Sequence, residues 1–234
     1  MENEALENKT RTTVVIGDIH GSTYWKKAIE DNPGCRYIFL GDYLDPYEPI
    51  PNEDLIANLK EIIRFKKDNP DDAVLLLGNH DLHYFCKDSP GSSGRYNHAI
   101  AEEVSGLFTQ NLHLFTYAFQ IGKHVFTHAG ISNVWFIGEF RGDPTKNIAD
   151  QLNNPSREQL RPLHQPGEAR GGAWFAIGGI FWADISELED PLEGYFQYAG
   201  HNRVGDIRVH YNDKGGQITF CDCLYNEKYL TVEI

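Results

Sequence analysis

The feature that most constrains this chain is a repeated event, in which a short apolar run stops at a glycine and a metal-ligand type of side chain follows at once. Val14-Val15-Ile16 runs into Gly17-Asp18-Ile19-His20-Gly21, Ile38-Phe39-Leu40 into Gly41-Asp42-Tyr43-Leu44-Asp45, and Val74-Leu75-Leu76-Leu77 into Gly78-Asn79-His80-Asp81. Two later runs behave alike: His124-Val125-Phe126-Thr127 ends in His128-Ala129-Gly130, and the run over 195–199 leads into Gly200-His201-Asn202. Aliphatic and β-branched runs of this length, bounded by glycine, read as buried strands that each deliver a polar side chain at the carboxyl end.

Helical patterns separate the first three runs. Residues 22–30 follow the first turn, with Ser22 placed as a cap. From Asn52, read as the next cap, Leu55, Ile56, Leu59, Ile62 and Ile63 keep the 3.6-residue period, with Glu53 and Asp54 in the first turn, Lys66 and Lys67 in the last, and Asn69-Pro70 as the stop. This alternation predicts parallel βαβ units with right-handed crossovers, whose ligands lie beyond the carboxyl ends of the strands.

Further along, a Gly/Ser-rich loop over 89–94 precedes a predicted helix at 97–108, and 114–120 and 124–127 are expected as strands about Gly122-Lys123. Residues 131–180, rich in Gly, Pro and Asn, read as an irregular insertion forming a lid or substrate-facing segment, with short helical pieces at 145–152 and 156–161. The alternating runs 207–211 and 217–220 predict a hairpin, and 229–234 a last strand that closes the sheet.

The 234 residues suffice for one α/β domain, 1–234, with a sizeable core, and 34 acidic against 21 basic residues leave a net charge of -13 that disfavours a long nucleic-acid partner. The start, 1–12, is polar and acidic without a signal-peptide pattern, and no apolar run approaches the ~20 residues that cross a bilayer, so no membrane partner and a cytoplasmic protein are expected. Cys35, Cys86, Cys221 and Cys223 are too scattered for a disulfide framework and read as mostly buried thiols.

The strand-end side chains Asp18, His20, Asp42, Asn79, His128 and His201 mix carboxylate, imidazole and amide oxygen, a set suited to manganese, iron or zinc. Six donors suit two divalent ions roughly 3.5–4 Å apart that share a carboxylate. Singly, each has a plainer reading: a Gly-Asp after a strand is a turn, Asn79 caps a helix, and Asp81 is as much a cap as a substrate contact. His83, His98, His113, His124, His164 and His210 match no motif and read as surface or core-edge residues, and Trp174, Phe175, Phe181 and Trp182 read as core rather than as a nucleoside platform.

Together the five motifs, spanning residues 17–202, resemble the calcineurin-like metallophosphoesterase superfamily, nearest to its serine/threonine phosphatase and bacterial diadenosine tetraphosphatase branch. The resemblance implies a four-layer α/β/β/α sandwich. It implies that Asp18 and His20 hold one metal, that Asp42 bridges, and that Asn79, His128 and His201 hold the other. A bridging hydroxide would attack phosphorus, with His80 as general acid and Asp45 orienting its imidazole.

Two departures qualify the match. Asp45 is followed by Pro46-Tyr47 where the phosphatases have Arg-Gly, so the phosphate-clamping arginine is missing, and Arg95, Arg170 and Arg203 are the candidates to replace it. Arg203 also stands where many phosphodiesterases of the superfamily carry a second histidine after Gly-His-x, which favours phosphomonoesters. The expected substrate is a phosphorylated small molecule or phosphoprotein. The alternatives are a dinucleoside polyphosphate hydrolase or phosphodiesterase on the same site, and a non-catalytic interaction module on the same fold.

Overall fold

The computed structural model describes residues 10–89 and 93–234. The first three apolar runs become the parallel strands β1 (Thr12–Ile16), β2 (Arg36–Phe39) and β3 (Ala73–Leu76), joined by α1 (Trp25–Asp31) and α2 (Asn52–Asp68). A single helical turn, α3 (Asn79–Leu82), follows β3, and α4 (Ala101–Asn111) follows that. The short β4 (Phe115–Thr116) pairs parallel to β3. Strands β5 (Ala118–Ile121), β6 (His124–Thr127), β7 (Phe196–Ala199), β8 (Arg208–Tyr211) and β9 (Gln217–Phe220) make a second sheet, ordered β5-β6-β7-β9-β8. The last strand, β10 (Leu230–Glu233), returns to the first sheet antiparallel to β1, giving the order β10-β1-β2-β3-β4.

Alternation along the strands builds the layers. Val15, Ile38, Leu40 and Leu76 meet Phe126 and Tyr198 between the sheets, whereas Val14, Ile16, Phe39 and Leu75 pack with Trp25, Leu55, Leu59 and Ile62 from the helices. Both faces of the first sheet are therefore dry, which is why its strands read as continuous apolar runs rather than alternating ones. Helix α5 (Ile148–Asn153) lies on β5 and β6, so helices flank both sheets in the expected α/β/β/α order.

Several local expectations are corrected. Ser22 does not cap α1: its N–H donates to the Ile19 carbonyl at 2.7 Å and its Oγ accepts from the Tyr24 N–H at 3.2 Å, so a turn occupies residues 22–24 and the helix begins at Trp25. Asn52 is the first helical residue of α2, with Pro51 at the cap position. The helix predicted at 97–108 runs over Ala101–Asn111, because the Asn97 side chain accepts from the Ala99 N–H at 3.1 Å and holds a turn.

The expected strand 114–120 is broken at Tyr117. There Asn153 Oδ1 accepts from Thr116 Oγ1, Tyr117 N and Ala118 N at 2.7, 2.9 and 3.0 Å, and the chain passes from the first sheet to the second. The stretch 131–180 is more ordered than expected. It carries a wide helical turn over Val134–Glu139, α5, and α6 (Arg157–Leu163), and it sinks Trp135, Phe136, Phe140, Ile148, Leu152 and Leu163 into the core. Most of this segment is thus part of the body of the fold.

All four cysteines are free thiols, Cys221 and Cys223 buried and Cys35 and Cys86 half-buried. Among the described residues no helix is long and apolar enough to cross a membrane. The start of the chain before Thr10 and the middle of the 89–94 loop, residues 90–92, lie outside the described residues.

Candidate active site

The carboxyl ends of the strands converge. Asp18 and His20 follow β1, Asp42 and Asp45 follow β2, Asn79 and His80 open α3 after β3, His128 follows β6 and His201 follows β7. His20, Asp42, Asp45 and His201 take the left-handed conformation, with φ of 41°, 51°, 57° and 59°. Such backbone costs roughly 1–2 kcal/mol per residue and persists where the surroundings enforce it. Two of the flanking glycines are sterically obligatory: a Cβ on Gly200 would lie 2.0 Å from Asp18 Oδ1, and one on Gly78 2.1 Å from Asp42 Oδ1.

Two groups of donor atoms result, Asp18 with His20 and Asp42, and Asp42 with His128 and His201, each gathered within 4.8 Å. Their hydrogen bonds show that they fit a cation. His128 donates Nδ1–H to the Leu40 carbonyl at 2.8 Å and His20 donates Nδ1–H to the Leu44 carbonyl at 2.7 Å, so each neutral ring turns a bare Nε2 lone pair inward. His128 Nε2 then faces Asn79 Oδ1 at 2.9 Å and Asp42 Oδ1 at 3.5 Å, and His20 Nε2 faces Asp42 Oδ2 at 3.6 Å and Asp18 Oδ2 at 3.9 Å. Acceptors pointed at acceptors repel unless positive charge sits among them. His201 adds its Nδ1 at 3.0 Å from Asn79 Oδ1, while its buried Nε2 has no hydrogen-bond partner among the described residues.

Electrostatics agree. Burial, with Asp222 and Asp42 as neighbours, pushes the Asp18 carboxyl well above the ordinary carboxylate range. Burial pulls the imidazoles down, His20 to about 4, and His201 well below its usual value with help from His128 and Arg170. Asp42 goes the other way: against its burial, the facing imidazoles of His128, His80 and His20 hold its carboxyl below the ordinary carboxylate range. The site thus keeps its imidazoles unprotonated and Asp42 ionised, the state that binds metal, while burial penalises the charge on Asp18.

Beside these donors, His80 donates Nδ1–H to Asp45 Oδ2 at 2.7 Å. Asp45 is buried and also accepts from the Tyr84 hydroxyl at 2.5 Å, so the imidazole is held from behind by a fully engaged carboxylate. Arg95 bonds the Asp45 carbonyl through Nη1 at 2.7 Å and His80 Nε2 through Nη2 at 3.1 Å, and its guanidinium lies 3.6 Å above the Tyr47 ring. Arg170 is fixed by Asn202 Oδ1 at 2.7 Å and by an ion pair with Asp184 at 2.9 Å.

A pocket of about 450 Å³ opens over this assembly, lined by His20, Asp42, Asn79, His80 and His201 together with Arg95, Arg170, Pro166, Gly171 and Trp182. Arg203 is placed elsewhere. It stacks on Tyr225 at 3.6 Å and Tyr47 at 4.4 Å and lines a neighbouring hollow with Asp18 and Asp222.

Several residues carry more than their sequence context suggested. Asp81 neither touches the pocket nor merely caps α3: its carboxylate accepts from the N–H groups of Gly78, Asp42 and Tyr43, each at 2.8 Å, and ties the second and third motif loops together. Tyr84 and the buried Asp222 carry no motif signal. His83 sits 5.6 Å from the His80 ring and with Asp45 and His80 forms a third group of metal-ligand types, while His164 is buried in a stack with Phe181. Of the four aromatics expected in the core, Phe181 is buried and Trp182 lines the pocket. Trp174 and Phe175 instead are 79% and 85% exposed, because a turn through Gly171 and Phe175 in the left-handed region lifts them out.

The sequence matches the calcineurin-like phosphoesterase family over residues 11–203. Among solved structures it is similar to the cold-active protein-tyrosine phosphatase of the psychrophile Shewanella sp., with 17% identity and a TM-score of 0.57 over 95% of this chain and 75% of that one. It is also similar to a protein serine/threonine phosphatase from Saccharomyces cerevisiae, with 19% identity and a TM-score of 0.51 over 90% of this chain and 67% of that one. At these identities the likeness establishes the fold. A comparison with curated protein sequences finds no significant match. With the family match spanning residues 11–203 of a chain whose fold gathers metal-ligand groups at its strand ends, the chain belongs to the calcineurin-like phosphoesterases and is a phosphate-ester hydrolase.

Proposed function

We propose that the chain hydrolyses phosphomonoesters at a dinuclear metal centre. The observation that carries this reading is the membership of Asp42 in both donor groups, the arrangement that one carboxylate shared by two cations requires. Asp18 and His20 would hold one ion and Asn79, His128 and His201 the other, with manganese, iron or zinc suited to these donors. When bound, such ions supply Lewis acidity and a water acidic enough to act as nucleophile near neutral pH.

The chain's own side chains do the rest. His80, fixed through Nδ1 by Asp45, aims Nε2 at the pocket; once Arg95 releases that nitrogen and it takes up a proton from solvent, it passes the proton to the leaving oxygen. The third group, Asp45 with His80 and His83, is read as this proton-transfer assembly, because both Asp45 oxygens already accept hydrogen bonds. Arg95 and Arg170 replace the missing clamp, Arg95 exchanging its bond to His80 for a phosphate oxygen. Two guanidiniums lining one pocket suit the doubly charged monoester better than a singly charged diester, which supports a phosphorylated small molecule or phosphoprotein as the substrate.

The test is turnover of p-nitrophenyl phosphate and bis-p-nitrophenyl phosphate by metal-stripped protein resupplied with manganese, with Asp42→Asn as control. Metal-dependent monoester hydrolysis, lost in the variant, together with two ions per chain, is the expected result. Hydrolysis of the diester alone would transfer the site to the phosphodiesterases. Two bound ions with neither substrate cleaved would point to a polyphosphate hydrolase, and absence of metal binding to an interaction module.

A further inference from the structure

His80 and Tyr84 stand four residues apart along α3 and the turn that follows it, where the Tyr84 N–H donates to the Asp81 carbonyl at 3.1 Å. That spacing puts both side chains on one side of the turn. The Asp45 carboxylate, from the loop after β2, enters between them and is divided: Oδ2 takes the His80 Nδ1–H at 2.7 Å and Oδ1 takes the Tyr84 hydroxyl at 2.5 Å. All three residues are buried.

Tyr84 is itself fixed by the segment 93–97. Its oxygen accepts from the Asn97 N–H at 3.3 Å, and its ring stacks on Tyr96 with centroids 4.7 Å apart and planes at 29°. Asn97 is anchored in turn to Asn52 Oδ1, at the start of α2, at 2.7 Å. From the same segment Ser93 Oγ donates to Asp45 Oδ2 at 3.4 Å, and Arg95 bonds the Asp45 carbonyl. Ser93, Arg95, Tyr96 and Asn97 thus all bear on Asp45 or Tyr84.

Packing does not account for the Tyr84 hydroxyl, since a phenyl ring would fill the same place in the core and against Tyr96. Burial and the Asp45 carboxylate push that hydroxyl above its ordinary range, so it stays a donor. Without it, Oδ1 of a carboxylate closed to solvent would have no hydrogen bond among the described residues. A rotation of the carboxylate to recover one would draw Oδ2 off the imidazole.

We infer that Tyr84 is a positioning residue for departure of the leaving group, fixing the Asp45 carboxylate so that it holds the His80 ring where Nε2 reaches the leaving oxygen. The inference rests on the reading of His80 as general acid. Tyr84 does not line the catalytic pocket, so it acts through Asp45 and His80 and not on the substrate. Its effect should grow with the need of the leaving oxygen for a proton.

The experiment measures kcat and KM of the manganese-loaded full chain and of Tyr84→Phe on p-nitrophenyl phosphate, phenyl phosphate and phosphoserine. Their leaving groups run from a stabilised phenolate to an alkoxide that must be protonated as it departs. Tyr84→Phe is expected to lower kcat about threefold on p-nitrophenyl phosphate and about thirtyfold on phosphoserine, with phenyl phosphate between them, KM little changed and circular dichroism native. In proton NMR of the zinc-loaded protein, the hydrogen-bonded Nδ1 proton of His80 should be sharp in the parent chain and broadened or lost in the variant. Equal losses on all three esters overturn the inference, as does an unchanged His80 proton. If the parent chain cleaves no monoester, the phosphomonoesterase reading falls separately. The His80 proton then decides alone: its loss in the variant upholds the inference, and its persistence overturns it.

Discussion

Asp42 is shared by both donor groups and also accepts the His80 N–H through Oδ1 at 2.9 Å. Asp42→Asn keeps that hydrogen bond and removes the charge, so kcat should fall on the order of a thousandfold or more while the unfolding temperature of the metal-free protein moves little. Asp81 has the opposite profile. Asp81→Ala leaves three buried backbone N–H groups without an acceptor, which should cost roughly 3–5 kcal/mol in urea unfolding of the metal-free protein. Asp222 adds a pH signature. Burial and the nearby Asp42 raise its carboxyl to about 7, so between its ordinary value of 3.8 and about 7 the folded chain keeps a proton that the unfolded chain has released. Stability of the metal-free protein should therefore fall as pH rises through that window, and thermal melts of Asp222→Asn should lack this part of the slope. The gathering of Asp18, Asp42, Asn79 and His201 at strand ends was legible because a glycine directly precedes each in the sequence. Asp81, Tyr84 and Asp222 were not, since what they do depends on partners such as Asp42, Asp45 and Asp18 that only the fold brings near.

At the scale of elements, β1, β2, β3 and β7 each stop at or one residue before a glycine, and close approach explains why. A Cβ on Gly78 would sit 2.1 Å from Asp42 Oδ1 and 2.7 Å from His128 Cε1, and the adjoining Asp42 backbone, at 2.6 Å, cannot yield. Gly78→Ala should weaken metal binding, read by competition with a chelating dye, at least about tenfold while the far-ultraviolet circular dichroism stays native. The break in 114–120 left no trace in the local pattern because Leu114-Phe115-Thr116 and Ala118-Phe119-Gln120 flank Tyr117 with no glycine or proline between them, and the decisive partner, Asn153, lies 36 residues away. The Gly and Pro content of 131–180 similarly concealed a helical segment whose Trp135, Phe136 and Phe140 fill the core.

Across the whole molecule, the donors are divided between the sheets: Asp18, His20, Asp42 and Asn79 stand at the ends of the first, His128 and His201 at the ends of the second. The local pattern showed strands but not which sheet each would join, and only the resemblance implied two packed sheets. Because folding assembles the donors, metal at a hundredfold excess over its dissociation constant should stabilise the chain by about 2.7 kcal/mol, and chelation should lower the melting temperature by roughly 5–10 °C. A cation held there from both sides would also be a gauge of alignment. The layer between the sheets, where Phe126 meets Val15 and Ile38, sets how far one sheet lies along the other. A change there, such as Phe126→Leu, would alter the ligand field without touching a ligand, so the visible absorption of the cobalt-substituted protein would register sub-ångström slippage of the interior as a change of colour.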